Sequence, residues 1–144
     1  MVGISSDDVN DIYLIRTKVE GLAARRAAQN ITDEELSDLR EIVELQEFYL
    51  GRGDSLQVGN LDQRFHEILY ESCRSRPLKQ MLTTFHNYIQ KARVTTVCQG
   101  RAAASTQEHR AILTAVENRN ADEAERLMGI HVENARQSFF ELLE

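Results

Sequence analysis

Apolar side chains recur along most of this chain at spacings of three and four, the period of a helix packed on one side. The first such run covers about residues 8–30, with Ile12, Ile15, Val19, Leu22 and Ala23 on one stripe. Asn30 is a stop signal. Thr32 then opens a second helix, and Glu35 three residues on completes a capping box. Leu36, Leu39 and Val43 continue that helix toward Phe48 or Leu50, and Gly51-Arg52-Gly53 ends it. A third run, about residues 55–73, carries Leu61, Phe65, Ile68 and Leu69. Pro77 suits the first turn of a fourth helix, whose stripe of Leu78, Met81, Leu82, Phe85, Ile89 and Ala92 fades near Gly100. A fifth helix over about residues 103–118 carries Ile112, Leu113 and Val116, and Asn120-Ala121 separates it from a sixth over about residues 122–143. Helices of this number and length, joined by short connections, predict an all-α antiparallel bundle of about six helices.

Composition agrees. One proline and seven glycines in 144 residues leave few helix breakers. The length suits one domain, residues 1–144, able to bury a single core. No apolar run approaches the roughly 18 residues of a membrane span. The first residues are acidic and have no apolar segment, so no signal peptide is read there, and cytoplasmic residence is expected. Cys73 and Cys98 form no CxxC pair and cannot make a disulfide scaffold. The net charge of −6 argues against a phosphate-gripping surface in these residues.

Chemistry concentrates in the histidines. Asp62 and His66 are four apart on the third helix, which puts both on one face, able to reach one ion. Phe65 and Leu69 adjoin that face. His109 precedes Ile112, Leu113 and Val116 by three, four and seven positions, so it shares their apolar stripe. His131 follows Met128 by three and Leu127 by four on the sixth helix. Three imidazoles and one carboxylate, from three helices, are thus biased inward. Spacing alone leaves two readings open, hydrogen-bonded core histidines or ligands of a divalent metal. Imidazole with carboxylate suits zinc first, with nickel, manganese or iron(II) as alternatives. His86 follows Phe85 but falls off the apolar stripe, and is read as exposed and non-ligating.

The residues also carry a resemblance. Leu14-Ile-Arg-Thr-Lys-Val-Glu20 and Ala23-Ala-Arg-Arg-Ala-Ala28, then Asp62-Gln-Arg-Phe-His66, Glu108-His-Arg-Ala-Ile-Leu113 and the late His131, stand in order over nearly the whole chain. This set resembles the effector-binding FCD domain of GntR-type transcription regulators of the FadR-like subgroup. The resemblance implies a helical bundle around a central pocket, with a divalent metal held by Asp62, His66, His109 and His131. It implies a small organic acid as effector, a homodimer, and DNA binding through a winged helix-turn-helix domain that is absent from this chain. A carboxylate effector needs a cationic partner beside the metal. Arg16, four after Ile12 and three before Val19, is the first candidate; its alternative is an i,i+4 pair with Glu20 at the surface. Arg93, four after Ile89, is the second; its alternative is a solvated bundle face.

Two other function classes make different demands on the sequence. A metal-dependent hydrolase would need a general base beside an open metal position. Glu67 and Glu108 adjoin ligands in sequence, but neighbouring helix residues point elsewhere, so no base is found. The absence of GxSxG and of an activated cysteine removes nucleophilic triads, and no catalytic residue is assigned. A metal-free interaction bundle would keep the histidines as core hydrogen-bonding groups.

Overall fold

The protein is described by a computed structural model that covers residues 5–93 and 99–141; the side chains of residues 93, 99 and 100 lie outside this description. Six helices follow one another, and no strand occurs among the described residues: α1 (Ser6–Asn30), α2 (Asp33–Gly51), α3 (Ser55–Ser72), α4 (Arg76–Arg93), α5 (Gln99–Glu117) and α6 (Ala121–Glu141). The expected all-α bundle is therefore observed. Most element boundaries fall within two residues of those expected; α5 starts at Gln99 rather than near Ala103, and α4 ends at Arg93, short of the fade expected near Gly100, with residues 94–98 outside the description.

Local chemistry sets the helix ends. The Ser5 hydroxyl accepts from the Asp8 amide and caps α1. Thr32 and Glu35 form the reciprocal capping box at α2, and Asp54 caps α3 through the Gln57 amide. Gly53 follows α2 with φ +71°, a conformation that glycine adopts without steric cost. Arg119, at φ +55°, closes α5, and its Nη1 donates to the Ile31 carbonyl at 2.6 Å beyond the end of α1. One residue thus ends its own helix and satisfies the end of another.

The long helix α1 lies along α6, α2 packs on α3, and α5 contacts α2 and α6. The approach of α1 to α6 is close at Gly21, where an added Cβ would stand 3.0 Å from the Glu125 carbonyl oxygen. Ala24, Ala27 and Ala28 are fully buried, and the main core joins them to Leu39, Val43, Phe65, Leu69, Ile112, Leu113, Met128 and Val132. Ala23 packs instead in a smaller cluster with Tyr70, Cys73, Leu78 and Leu82.

The buried stripe of α1 differs from the one expected. Ile15 and Leu22 are exposed at 41% and 40%. The inward face instead carries Val9, Tyr13, Arg16, Glu20, Ala23, Ala24 and Ala27. Its helical period is intact, but two of its positions are charged. A similar polar insertion occurs on α2, where Gln46 follows Leu39 and Val43 inward and is fully buried, while Phe48 is exposed.

Candidate metal centre

Four inward side chains converge between α3, α5 and α6. Asp62 and His66 project from adjacent turns of α3, His109 comes from α5 and His131 from α6, all buried. One ligand atom from each lies within 4.8 Å of all the others, so the group could hold a metal ion. The His131 Nε2 stands 3.2 Å from His109 Nε2 and 3.4 Å from His66 Nε2. Asp62 Oδ1 lies 3.2 Å from His109 Nε2 and 3.7 Å from His66 Nε2. Phe65, between the two α3 residues, stacks on the His109 ring at 4.0 Å and fixes its plane.

The opposite edge of each imidazole is also engaged. Glu20 Oε1 accepts from His66 Nδ1 at 2.8 Å, and Glu108 Oε1 accepts from His131 Nδ1 at 2.7 Å. Gln46 Oε1 accepts from His109 Nδ1 at 2.9 Å. These partners assign the proton of every ring to Nδ1. Three Nε2 lone pairs then face one another and the Asp62 carboxylate with no proton to share. That donor set fits a cation, and outward carboxylates or carbonyls behind metal-bound histidines are a recurrent arrangement.

Burial pushes the pKa of His66 down to about 4 and that of His131 to about 3, so both are neutral near pH 7. Burial alone would raise the Asp62 carboxyl, but the imidazoles of His109, His86 and His66 around it hold it well below its usual range.

Two charged relays stand behind the centre. Glu20 is fully buried and accepts from Arg16 Nε at 2.6 Å and from the Tyr70 hydroxyl at 2.6 Å as well as from His66. Burial opposes its ionisation, yet Arg16 and His66 outweigh it and keep the Glu20 pKa well below normal. Glu108 accepts from Arg101 Nη1 at 3.0 Å and from Asn134 Nδ2 at 2.9 Å. Burial raises its pKa, but hydrogen bonds from His131, Arg101 and Asn134 bring it down to about 2.

Several sequence expectations are corrected here. Arg16 does pair with Glu20, but the pair is buried against the centre rather than at the surface, because position 16 is three after Tyr13 and seven after Val9 on the inward face. Glu108 does not point elsewhere. A long side chain near the helix face reaches the Nδ1 edge of His131, although its neighbour His109 supplies the inner atom. His86 is buried, not exposed: it follows Leu82 by four and precedes Ile89 by three on the inward face of α4. Glu20, Gln46 and Arg101 were missed. Their signal was available, since 9, 13, 16, 20 and 39, 43, 46 are helical series whose later positions are polar. The side chain of Arg93, and Cys98, lie outside the described residues.

A buried three-histidine, one-aspartate cluster among the helices defines the class of protein, an all-helical bundle with a candidate metal centre. The family model for the FCD domain matches residues 11–134. The chain belongs to this family, the ligand-sensing, non-enzymatic regulatory domains of GntR-type transcription regulators. It is similar to the uncharacterized HTH-type transcriptional regulator YdhC of Bacillus subtilis (strain 168), at 27% identity over 146 residues, covering all of this chain and 65% of the relative. Among solved structures it resembles Streptococcus agalactiae GntR, with TM-score 0.80, 25% identity, and 94% of this chain on 62% of that one. It shares its fold with E. coli McbR/YncC, with TM-score 0.84, 15% identity, and 98% of this chain on 68% of that one. The chain therefore spans less than two thirds of the length of the first two relatives. No helix among the described residues is long and apolar enough to cross a membrane.

Proposed function

We propose that this chain is the effector-sensing domain of a cytoplasmic transcription regulator and holds one divalent metal ion through Asp62, His66, His109 and His131. The observation that carries this reading is the double engagement of each imidazole. Three Nε2 atoms converge with Asp62, while Glu20, Gln46 and Glu108 occupy the three Nδ1 edges. Zinc suits three imidazoles and one carboxylate best; nickel, manganese and iron(II) are compatible with the same donors.

A metal with four protein ligands can retain a position for an exogenous oxygen donor, and a small carboxylate fits that role. Arg16 is the proposed cationic partner: its Nε–H is given to Glu20, and the guanidinium fork carries further donors. Arg93 is proposed as a second partner from the end of α4. Because the donors come from α3, α5 and α6, a ligand that changes their relative positions biases the packing of three helices together. Its effect on a homodimer, and on DNA binding by an attached winged-helix domain, equals its differential affinity for the two packings.

The test is metal content by mass spectrometry of protein purified without affinity-tag metal exposure, beside a His66→Ala/His131→Ala variant. About one equivalent in the parent and none in the variant is expected. No metal in the parent, and no change in melting when zinc, nickel or manganese is added, would remove the reading.

A further inference from the structure

Of the three side chains that stand behind the imidazoles, one differs in kind. Glu20 and Glu108 are carboxylates, which only accept hydrogen bonds. Each also accepts from an arginine, Arg16 or Arg101. They fix the proton of His66 and that of His131 on Nδ1. Gln46, behind His109, carries an amide instead, whose oxygen and nitrogen are nearly the same in shape. The residue is fully buried on α2. With Oε1 turned to His109 Nδ1 at 2.9 Å, its Nε2 has no hydrogen-bond partner among the described residues. Leaving that amino group desolvated without an acceptor is unfavourable. A glutamate would back His109 without this loss, so orienting a metal-bound ring does not by itself explain an amide here.

An amide can turn over where a carboxylate gains nothing by it. Half a turn about the last bond of Gln46 puts Nε2 where Oε1 stands, and it then donates to His109 Nδ1. His109 must in that case carry its proton on Nε2. That atom faces two acceptors, Asp62 Oδ1 and His131 Nε2, each at 3.2 Å. The turned arrangement thus makes a bond at both ends of the ring and gives the buried amino group a partner. It also places a proton among lone pairs that otherwise face one another when no cation is bound. The ring need not move: Phe65 stacks on it at 4.0 Å, 13° from parallel. A cation demands the first arrangement, because the ion takes the Nε2 lone pair.

We propose that Gln46 is a two-position switch behind His109, its amide nitrogen donating to Nδ1 in the metal-free protein and its oxygen accepting from Nδ1–H in the metal-bound one. It is a positioning residue that acts through His109, and the inference rests on the metal reading above. On binding, His109 gives up the proton on Nε2 and takes one at Nδ1, so the ring stays neutral and no net proton is released from it. Stabilising the metal-free form weakens the hold on the ion by the same free energy. Gln46 therefore keeps the ion exchangeable rather than permanent.

The experiment reads the imidazole tautomers of the whole chain by two-bond proton–nitrogen correlation NMR with labelled nitrogen, near neutral pH. Spectra are taken after chelator treatment and again with one equivalent of zinc, and zinc content is measured on the same sample. The His109 signals are identified by their loss in His109→Gln. The metal-free parent is expected to show His109 protonated on Nε2 and both His66 and His131 on Nδ1. Zinc moves the His109 proton to Nδ1 and leaves the other two rings unchanged. In Gln46→Glu, whose carboxylate only accepts, His109 carries Nδ1–H in both states, and zinc is held about tenfold more tightly in a chelator competition. A metal-free parent with His109 already protonated on Nδ1 overturns the proposal, and this spectrum decides even where Gln46→Glu fails to fold. A Gln46→Glu chain that still switches overturns the part given to the amide. A parent with no bound zinc fails one step earlier, at the metal reading, and the content measurement tells that failure from a fixed tautomer.

Discussion

Replacing Glu20 by glutamine separates charge balance from hydrogen bonding at the base of the metal group. Glu20 is fully buried and holds three donors: Arg16 Nε, His66 Nδ1 and the Tyr70 hydroxyl. Glutamine keeps the shape and one acceptor oxygen but removes the charge. Arg16, 4% exposed, is then left as a buried cation beside a neutral amide. Breaking a buried pair from one side costs about 3–5 kcal/mol, because the remaining charge stays desolvated. Set against a total stability of about 5–15 kcal/mol, that is a large fraction. For a chain of this length it lowers the melting temperature by roughly 10–15 °C. Far-UV circular dichroism of chelator-treated protein measures this directly. Adding Arg16→Met to the same chain removes the stranded charge, so the double variant is expected to recover most of the loss. Metal affinity should behave differently. Glu20→Gln weakens binding by about 10- to 100-fold through the poorer acceptor behind His66, and Arg16→Met does not restore it. A Glu20→Gln variant that melts within about 2 °C of the parent, or a double variant no better than the single, would refute the argument that the pair is a charge-balanced unit.

Gln46→Glu should tighten metal binding about tenfold in a chelator competition, since it puts a carboxylate behind the one histidine that lacks it and replaces a buried amide nitrogen without a partner. The metal-free protein should lose stability as pH falls below about 6.5. The folded pKa values of His66 and His131 are pushed down to about 4 and about 3, so the unfolded chain binds more protons across that interval. Melting at pH 7 and pH 5 checks this, and a His66→Phe/His131→Phe variant should show a smaller difference. Thr32→Ala should cost about 1 kcal/mol in urea unfolding, with metal affinity unchanged, because the α2 capping box lies apart from the metal group.

The parts of the site legible in the sequence were those whose residue type and period agree. Asp62 and His66 sit one turn apart among Phe65 and Leu69, and His109 opens the apolar stripe of α5, so position and chemistry point inward together. What was hidden is polar yet inward. Arg16, Glu20, Gln46 and His86 each occupy a core position of their helix, and an apolar stripe drawn without them shifts to the nearest hydrophobic neighbours. On α1 that shift assigns Ile15 and Leu22 to the core, although both are exposed, and sends the Arg16–Glu20 pair to the surface. The i,i+4 rule identified the pair correctly; its location depended on packing. A buried Arg–Glu pair is tolerated only where further groups use its remaining capacity, and here His66 and Tyr70 do so from another helix. The same condition holds for Glu108, whose partners Arg101, His131 and Asn134 come from two helices. The metal ligands belong to the helices that carry them, and so can be read one helix at a time. The groups that orient those ligands are defined by helix pairs, α1 with α3, α2 with α5, and α5 with α6, and become visible only when the bundle is assembled.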